Sequence, residues 1–222
     1  MQPTRHALVA GGTGLIGNEL LALLGNDTRY HSVTSLVRRD SPTVEGVTNR
    51  IISFDDFNGC ELPDVDDAYC CLGTTRRAAG SDDAVRKVDL EYVLTFARAA
   101  KRAGAIRFLL VSSLGANAAS RFLYLRLKGE AEAGVSALGF SIVGIARPSF
   151  LVGRRTVARF GETFALLFGQ AISPFMLGPL QRIRPVAAHT VASGLIHMAF
   201  TVPLGVTVIS SKEIANMGGA NK

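Results

Sequence analysis

The segment Gly11-Gly12-Thr13-Gly14-Leu15-Ile16-Gly17 constrains this chain more than any other. It follows the mostly apolar run His6-Ala7-Leu8-Val9-Ala10, and apolar residues at helical spacing continue after it to Gly25. The first pattern predicts a strand and the second a helix near 14–25. Gly11, Gly14 and Gly17 recur at every third position. Lacking a Cβ, such glycines let the turn tighten, let a ligand approach the backbone, and let the helix pack on the strand. The first N–H groups of the helix, with its positive dipole end, then face an anion. The order strand, glycine turn, helix predicts that a dinucleotide pyrophosphate is held by Gly11, Thr13, Gly14, Leu15, Ile16 and Gly17. A glycine-rich turn with no ligand is the competing reading.

The same alternation continues. Strands are predicted near 6–10, 32–37, 50–54, 67–72, 106–112 and 141–146, with helices near 14–25, 83–103 and 121–138. Val33, Leu36 and Val37, then Phe108 to Val111, are the apolar runs of strands covered on both faces. This predicts an α/β fold, a doubly wound parallel sheet of Rossmann type with helices on both sides. With 222 residues, 48% of them apolar, the chain has material for one sizeable core and is no disordered polymer. After Arg147-Pro148 the pattern becomes Phe-rich and Gly/Pro-punctuated. The expectation is a single domain over 1–222 in which 148–205 contributes a small substrate lobe.

The formal charge is +6, carried by 19 arginines and only 5 lysines against 18 acidic residues. Arginine's planar fork suits phosphate and carboxylate. The pairs Arg38-Arg39, Arg76-Arg77 and Arg154-Arg155 are dispersed, which argues against nucleic acid as a partner. Thr163 to Gln181 and Pro185 to Ser211 lack Asp, Glu, Lys and Arg. Both are interrupted by glycine, proline or histidine, so buried helices and a strand explain them better than an integral membrane span. Cys60, Cys70 and Cys71 form no secreted framework, and no cysteine–histidine cluster predicts a metal. His189 and His197 read as ordinary histidines with nothing acidic beside them. With a strand pattern starting at His6, no secretory leader is expected, and the expected location is cytoplasmic.

The second strand ends in Arg38-Arg39, at the point that faces the adenosine ribose in such a fold. An acidic residue there would take the 2′-hydroxyl of NAD, whereas arginine suits the 2′-phosphate of NADP, so NADP(H) is the predicted cofactor. Asp55, after the third strand, reads equally as an adenine contact and as a solvated turn. Leu72, Gly73 and Thr74 close the fourth strand and are expected beside the middle of the cofactor.

Ser112-Ser113 ends the fifth strand, and Tyr124 and Lys128 follow four residues apart on one helix face. A lysine cation near a tyrosine lowers the phenol pKa from about 10 and prepares it to exchange a proton with a substrate oxygen. A serine hydroxyl at the strand end can hold that oxygen. An amphipathic helix with a packing tyrosine and a solvated lysine is the alternative reading.

On these residues the chain resembles the short-chain dehydrogenase/reductase superfamily over essentially its whole length. More narrowly, it is similar to the atypical branch containing the Tat-interacting-protein-like oxidoreductases. The narrower likeness rests on Cys71-Leu72-Gly73-Thr74-Thr75, Lys87-Val88-Asp89, Ser112-Ser113-Leu114-Gly115-Ala116, Leu123-Tyr124-Leu125, Lys128-Gly129-Glu130 and Arg147-Pro148. The resemblance implies Ser113, Tyr124 and Lys128 as catalytic residues, with Ser112 a rival for the serine. It implies Arg147 and Pro148 beside the nicotinamide. Phe160, Phe164, Phe168 and Phe175 read either as an apolar pocket or as core. Three functions follow: a carbonyl reductase with a small, apolar substrate, an NADPH-sensing regulator that binds a protein partner, or a nucleotide-sugar epimerase or dehydratase. The last would need a larger substrate lobe than the stretch after Arg147 supplies. A homo-oligomer is compatible with any of them.

Overall fold

The structure, a computed structural model, describes residues 5–57, 62–149, 151–152 and 186–218. Cys60, Arg154-Arg155, the four phenylalanines of the expected pocket and Ile183-Arg184-Pro185 lie outside the described residues.

Strands β1 (Arg5–Ala10), β2 (Tyr30–Val37), β3 (Thr48–Ile51), β4 (Asp67–Cys70), β5 (Arg107–Val111), β6 (Ile142–Arg147) and β9 (Gly205–Ser210) form one sheet in the order β3-β2-β1-β4-β5-β6-β9. All six pairings are parallel. Two short strands, β7 (Leu151–Val152) and β8 (Val186–Ala187), pair parallel beside it. Helices α1 (Leu15–Gly25), α2 (Arg76–Ala79), α3 (Asp82–Arg86), α4 (Tyr92–Arg102), α5 (Leu123–Ser136), α6 (Ala188–Thr201) and α7 (Ser211–Gly218) complete the chain. The Rossmann-type expectation holds.

Side chains of a strand alternate between faces, so this sheet carries two separate cores. Leu8, Ala10, Ala68, Cys70, Phe108, Leu110, Val143 and Ile145 pack with Val93, Phe96 and Ala97 of α4 and Leu127 and Ala131 of α5. Ala7, Val9, Tyr69, Leu109 and Val111 pack with Leu20 and Leu24 of α1 and Val191, Leu195 and Met198 of α6. Cys70 and Cys71 fall to opposite faces, and both are free thiols. Burial pushes the Cys70 thiol up to about 12 and raises that of the half-buried Cys71 as well.

Four expectations are corrected. The helix foreseen over 83–103 is broken at Lys87–Glu91 by one wide π-type turn. β4 stops at Cys70, so Cys71 and Leu72 already belong to the crevice rather than to the strand. Of the expected 148–205 lobe, α6 packs against α1 and the sheet instead of standing apart, and β9 begins a seventh parallel strand. His189 does have an acidic neighbour, Glu19 of α1, at 3.3 Å. That contact joins residues 170 positions apart, beyond any local pattern. Among the described residues no group of three metal-ligating side chains exists, and no helix is long and apolar enough to cross a membrane.

The strand order changes direction between β1 and β4. At such a switch point the loops leaving the carboxyl ends of neighbouring strands part to opposite sides, opening a crevice. Both the glycine turn and the β4–α2 loop emerge there.

Candidate active site

The glycine turn is shaped as its spacing predicts. Gly11 has φ +84°, and a Cβ on it would lie 2.5 Å from the Cys71 carbonyl group. A Cβ on Gly17 would lie 2.1 Å from the Gly11 carbonyl oxygen. Side chains at either position would separate β1 from β4 or lift α1 off the turn. Gly14 caps α1 without any side-chain acceptor, so the first N–H groups of that helix are offered to the crevice. An uncapped helix end over a turn stripped of side chains suits a pyrophosphate.

Thr13, Arg38 and Arg39 line one cavity of about 240 Å³ together with Ser41 and Pro42. Ser41 and Pro42 carry no signal of their own in the sequence, because the β2–β3 loop brings them back only by folding. Asp55 is exposed but engaged: its carboxylate accepts from the Tyr92 hydroxyl at 3.0 Å and pairs with Lys87 at 2.7 Å. Lys87, then Tyr92, hold this carboxyl below its ordinary range.

Tyr124 and Lys128 lie one turn apart on α5, with the ammonium 5.9 Å from the phenol ring centre. They differ sharply in exposure, Tyr124 at 42% and Lys128 at 4%. The Lys128 Nζ donates to the Leu72 carbonyl at 3.4 Å and sits 2.8 Å from Oδ1 of Asp89. Burial works against the ammonium, but Asp89 and then Tyr124 overcome it, and the Lys128 pKa is raised. The second oxygen of Asp89 accepts the Thr74 N–H at 2.9 Å. Leu72, Gly73 and Thr74 are thereby drawn against Lys128, and a Cβ on Gly73 would be 3.4 Å from both Asp89 and Lys128.

Sequence reasoning assigned Asp89 no role of its own. The signal was present, since Asp89 interrupts the buried stripe formed by Val85, Val93 and Phe96. A carboxylate on such a stripe must find a cation or donors.

Ser112 is buried, and its Oγ has no hydrogen-bond partner. Ser113 is half-buried, with its Oγ donating weakly to the Leu114 carbonyl at 3.4 Å. Among the described residues neither serine is hydrogen-bonded to Tyr124. The loop between them is folded tightly onto α5: the Asn117 N–H donates to the Leu125 carbonyl at 3.0 Å. A Cβ on Gly129 would come 2.2 Å from the Ala118 nitrogen. That close approach accommodates the short span from Ser113 to Tyr124.

Arg147 turns its guanidinium away, forking onto Glu132 of α5 with Nε at 2.9 Å from Oε1 and a second bond to Oε2. Its charge is therefore spent within the fold. The Pro148 carbonyl accepts the Leu114 N–H at 2.9 Å, which ties the β6 end to the serine loop.

No protein-family profile matches the chain. Individual relatives do. FMP52-1 of Scheffersomyces stipitis is 38% identical over 158 residues, 69% of this chain and 70% of that protein. HTATIP2 of Rattus norvegicus is 37% identical over 170 residues, 74% of this chain and 70% of that protein. Among solved structures, human epimerase family protein SDR39U1 with NADPH superposes with TM-score 0.65 at 22% identity, covering 92% of this chain and 74% of that one. MoeE5 in complex with UDP-glucose and NAD gives TM-score 0.67 at 18% identity, covering 97% and 81%. These two likenesses carry the fold. The expectation of a cytoplasmic location is overturned, because the fungal relatives are named as mitochondrial proteins. By sequence the chain belongs to the family of FMP52 and HTATIP2, and its fold is the one it shares with human epimerase family protein SDR39U1.

Proposed function

We propose that this protein is an NADP(H)-dependent oxidoreductase that reduces a carbonyl compound, with Ser113, Tyr124 and Lys128 moving the proton. The observation that carries this is the buried, charged Lys128 one turn from the exposed Tyr124, at the crevice that the glycine turn opens. The residues fit the cofactor: the uncapped α1 end takes its pyrophosphate, and Arg38 and Arg39 with Thr13 take its 2′-phosphate. When bound, the reduced nicotinamide supplies a hydride to the carbonyl carbon. Tyr124 donates its phenolic proton to the carbonyl oxygen, and the Lys128 cation stabilises the phenolate left behind. Ser113 donates a hydrogen bond to the same oxygen as charge develops there.

Purified protein is expected to oxidise NADPH with a member of a broad carbonyl panel. Tyr124→Phe, which keeps the ring and removes the proton, should cut turnover by about a hundredfold or more without weakening NADPH binding. Full turnover in that variant would sink the mechanism. Tight NADPH binding with no turnover on any carbonyl would instead favour a cofactor-sensing regulator.

A further inference from the structure

The Lys128 ammonium is held by a group outside the Ser-Tyr-Lys set. Asp89 is fully buried, and its two oxygens are divided between two parts of the site. Oδ1 stands 2.8 Å from the Lys128 Nζ, an ion-pair contact without hydrogen-bond alignment, and Oδ2 accepts the Thr74 N–H at 2.9 Å. The wide turn at Lys87–Glu91 contains this residue, with Lys87 and Glu91 exposed on either side and Asp89 turned inward. Such turns expend backbone regularity to aim one side chain. Two apolar residues could fill the same place without the desolvation cost of a buried ion pair, so packing alone does not account for it.

We propose that Asp89 is a positioning residue for the reaction inferred above, one carboxylate that fixes both the Lys128 ammonium and the Leu72–Thr74 loop beside it. The inference rests on that reading of the site. Its physical content is charge. The titratable groups around Lys128 are Asp89 from the wide turn, Tyr124 from α5 itself, and Cys70 and Cys71 at the end of β4. Both thiols are held neutral by burial, which leaves Asp89 as the anion that keeps the buried lysine protonated. Without that anion, burial alone acts on Lys128 and drives its pKa down. The alkaline limb of turnover would then move to lower pH, because a neutral amine stabilises no phenolate.

The test uses Asp89→Asn, which removes the charge and still offers an oxygen to the Thr74 N–H. The full chain is labelled with [13Cε]lysine, and the Lys128 signal is identified as the one missing from Lys128→Met. In the cofactor-free wild type the Lys128 midpoint should lie above that of the exposed lysines. In Asp89→Asn it should fall by about one pH unit or more. Asp89→Glu, which keeps the charge, should hold it near the wild-type value. The alkaline limb of NADPH oxidation should shift in step. A wild-type midpoint at or below the ordinary lysine value overturns the proposal even if Asp89→Asn fails to fold. A folded Asp89→Asn with an unmoved midpoint and an unmoved alkaline limb, beside an active wild type, also overturns it. If the wild type oxidises no NADPH with any carbonyl, the function itself falls and the role of Asp89 falls with it, a result distinct from the other two.

Discussion

Among the described residues each end of the parallel sheet buries one aspartate, and the two are partnered in opposite ways. At the amino ends of the strands, Asp67 receives the Tyr30 hydroxyl at 2.6 Å, Arg107 at 3.1 Å and Arg5 at 3.4 Å. Tyr30 and Tyr69 join hydroxyls at 2.7 Å, and the guanidinium groups of Arg5 and Arg29 lie 4.2 and 3.8 Å from the centre of the Phe200 ring. Nearly every donor there is spent, Arg107 Nε excepted. At the carboxyl ends, Asp89 meets one ammonium and one N–H, while donors around it stay unspent. Ser35 and Ser112 hydroxyls are buried without partners, the α1 N-terminus has no side-chain cap, and Tyr124 is open to solvent. A network that satisfies itself holds a fold together. One that leaves polar groups unsatisfied beside a crevice has donors to spare for a ligand.

That contrast is open to attack at both ends. The largest stability effect is expected at the amino end, where Asp67→Ala leaves the half-buried Arg5 and Arg107 without their anion and the buried Tyr30 hydroxyl without its acceptor. It should cost about 3–5 kcal/mol in urea unfolding, with NADPH affinity unchanged. A matching loss of affinity would erase the division between the two ends. At the carboxyl end, Arg38→Ala should lower the preference for NADPH over NADH by about tenfold, read by nicotinamide fluorescence titration, through loss of one charge-assisted contact. An unchanged preference would move the 2′-phosphate elsewhere.

Ser112→Ala sharpens the comparison further. Removing a buried hydroxyl that has no partner should leave stability unchanged or raise it by up to about 1 kcal/mol. Turnover should survive in Ser112→Ala and collapse in Ser113→Ala. The reverse outcome would hand the catalytic role to Ser112. The smallest effect concerns Glu213, whose carboxylate accepts the Ser210 N–H and hydroxyl, both at 2.7 Å. Those bonds lower its pKa from 4.5. Stability from this cap is therefore present above that value and lost as the pH falls through the folded-state pKa. Because Glu213 is exposed, Glu213→Gln should cost only about 0.5 kcal/mol at neutral pH, with the difference vanishing in acid.

Much of the fold was legible because its signals are local. Strand and helix periods, and glycines spaced three apart, report on residues within a few positions of each other. The Tyr124–Lys128 pair was legible for the same reason, since one helical turn brings them to one face. The wide turn at Lys87–Glu91 was not legible, because a single inserted residue hardly disturbs an apolar stripe. Nor was the diversion of Arg147 to Glu132, which requires knowing that α5 lies over the end of β6. The cytoplasmic expectation failed because a folded domain does not record where its chain is sent.

The sequence by itself determined the alternation of strand and helix, the glycine turn that only residues without a Cβ can make, and the arginines at the end of β2. Each of these is decided by backbone sterics or by the chemistry of one short segment. Tertiary structure alone decided which charges meet. Asp89 reaches Lys128 and Thr74, Glu132 takes Arg147, and Ser41 joins Arg38 and Arg39 around one cavity. The reason is physical: a buried charge is governed by what the fold packs within about 4 Å of it, and in a doubly wound sheet those neighbours come from distant parts of the chain.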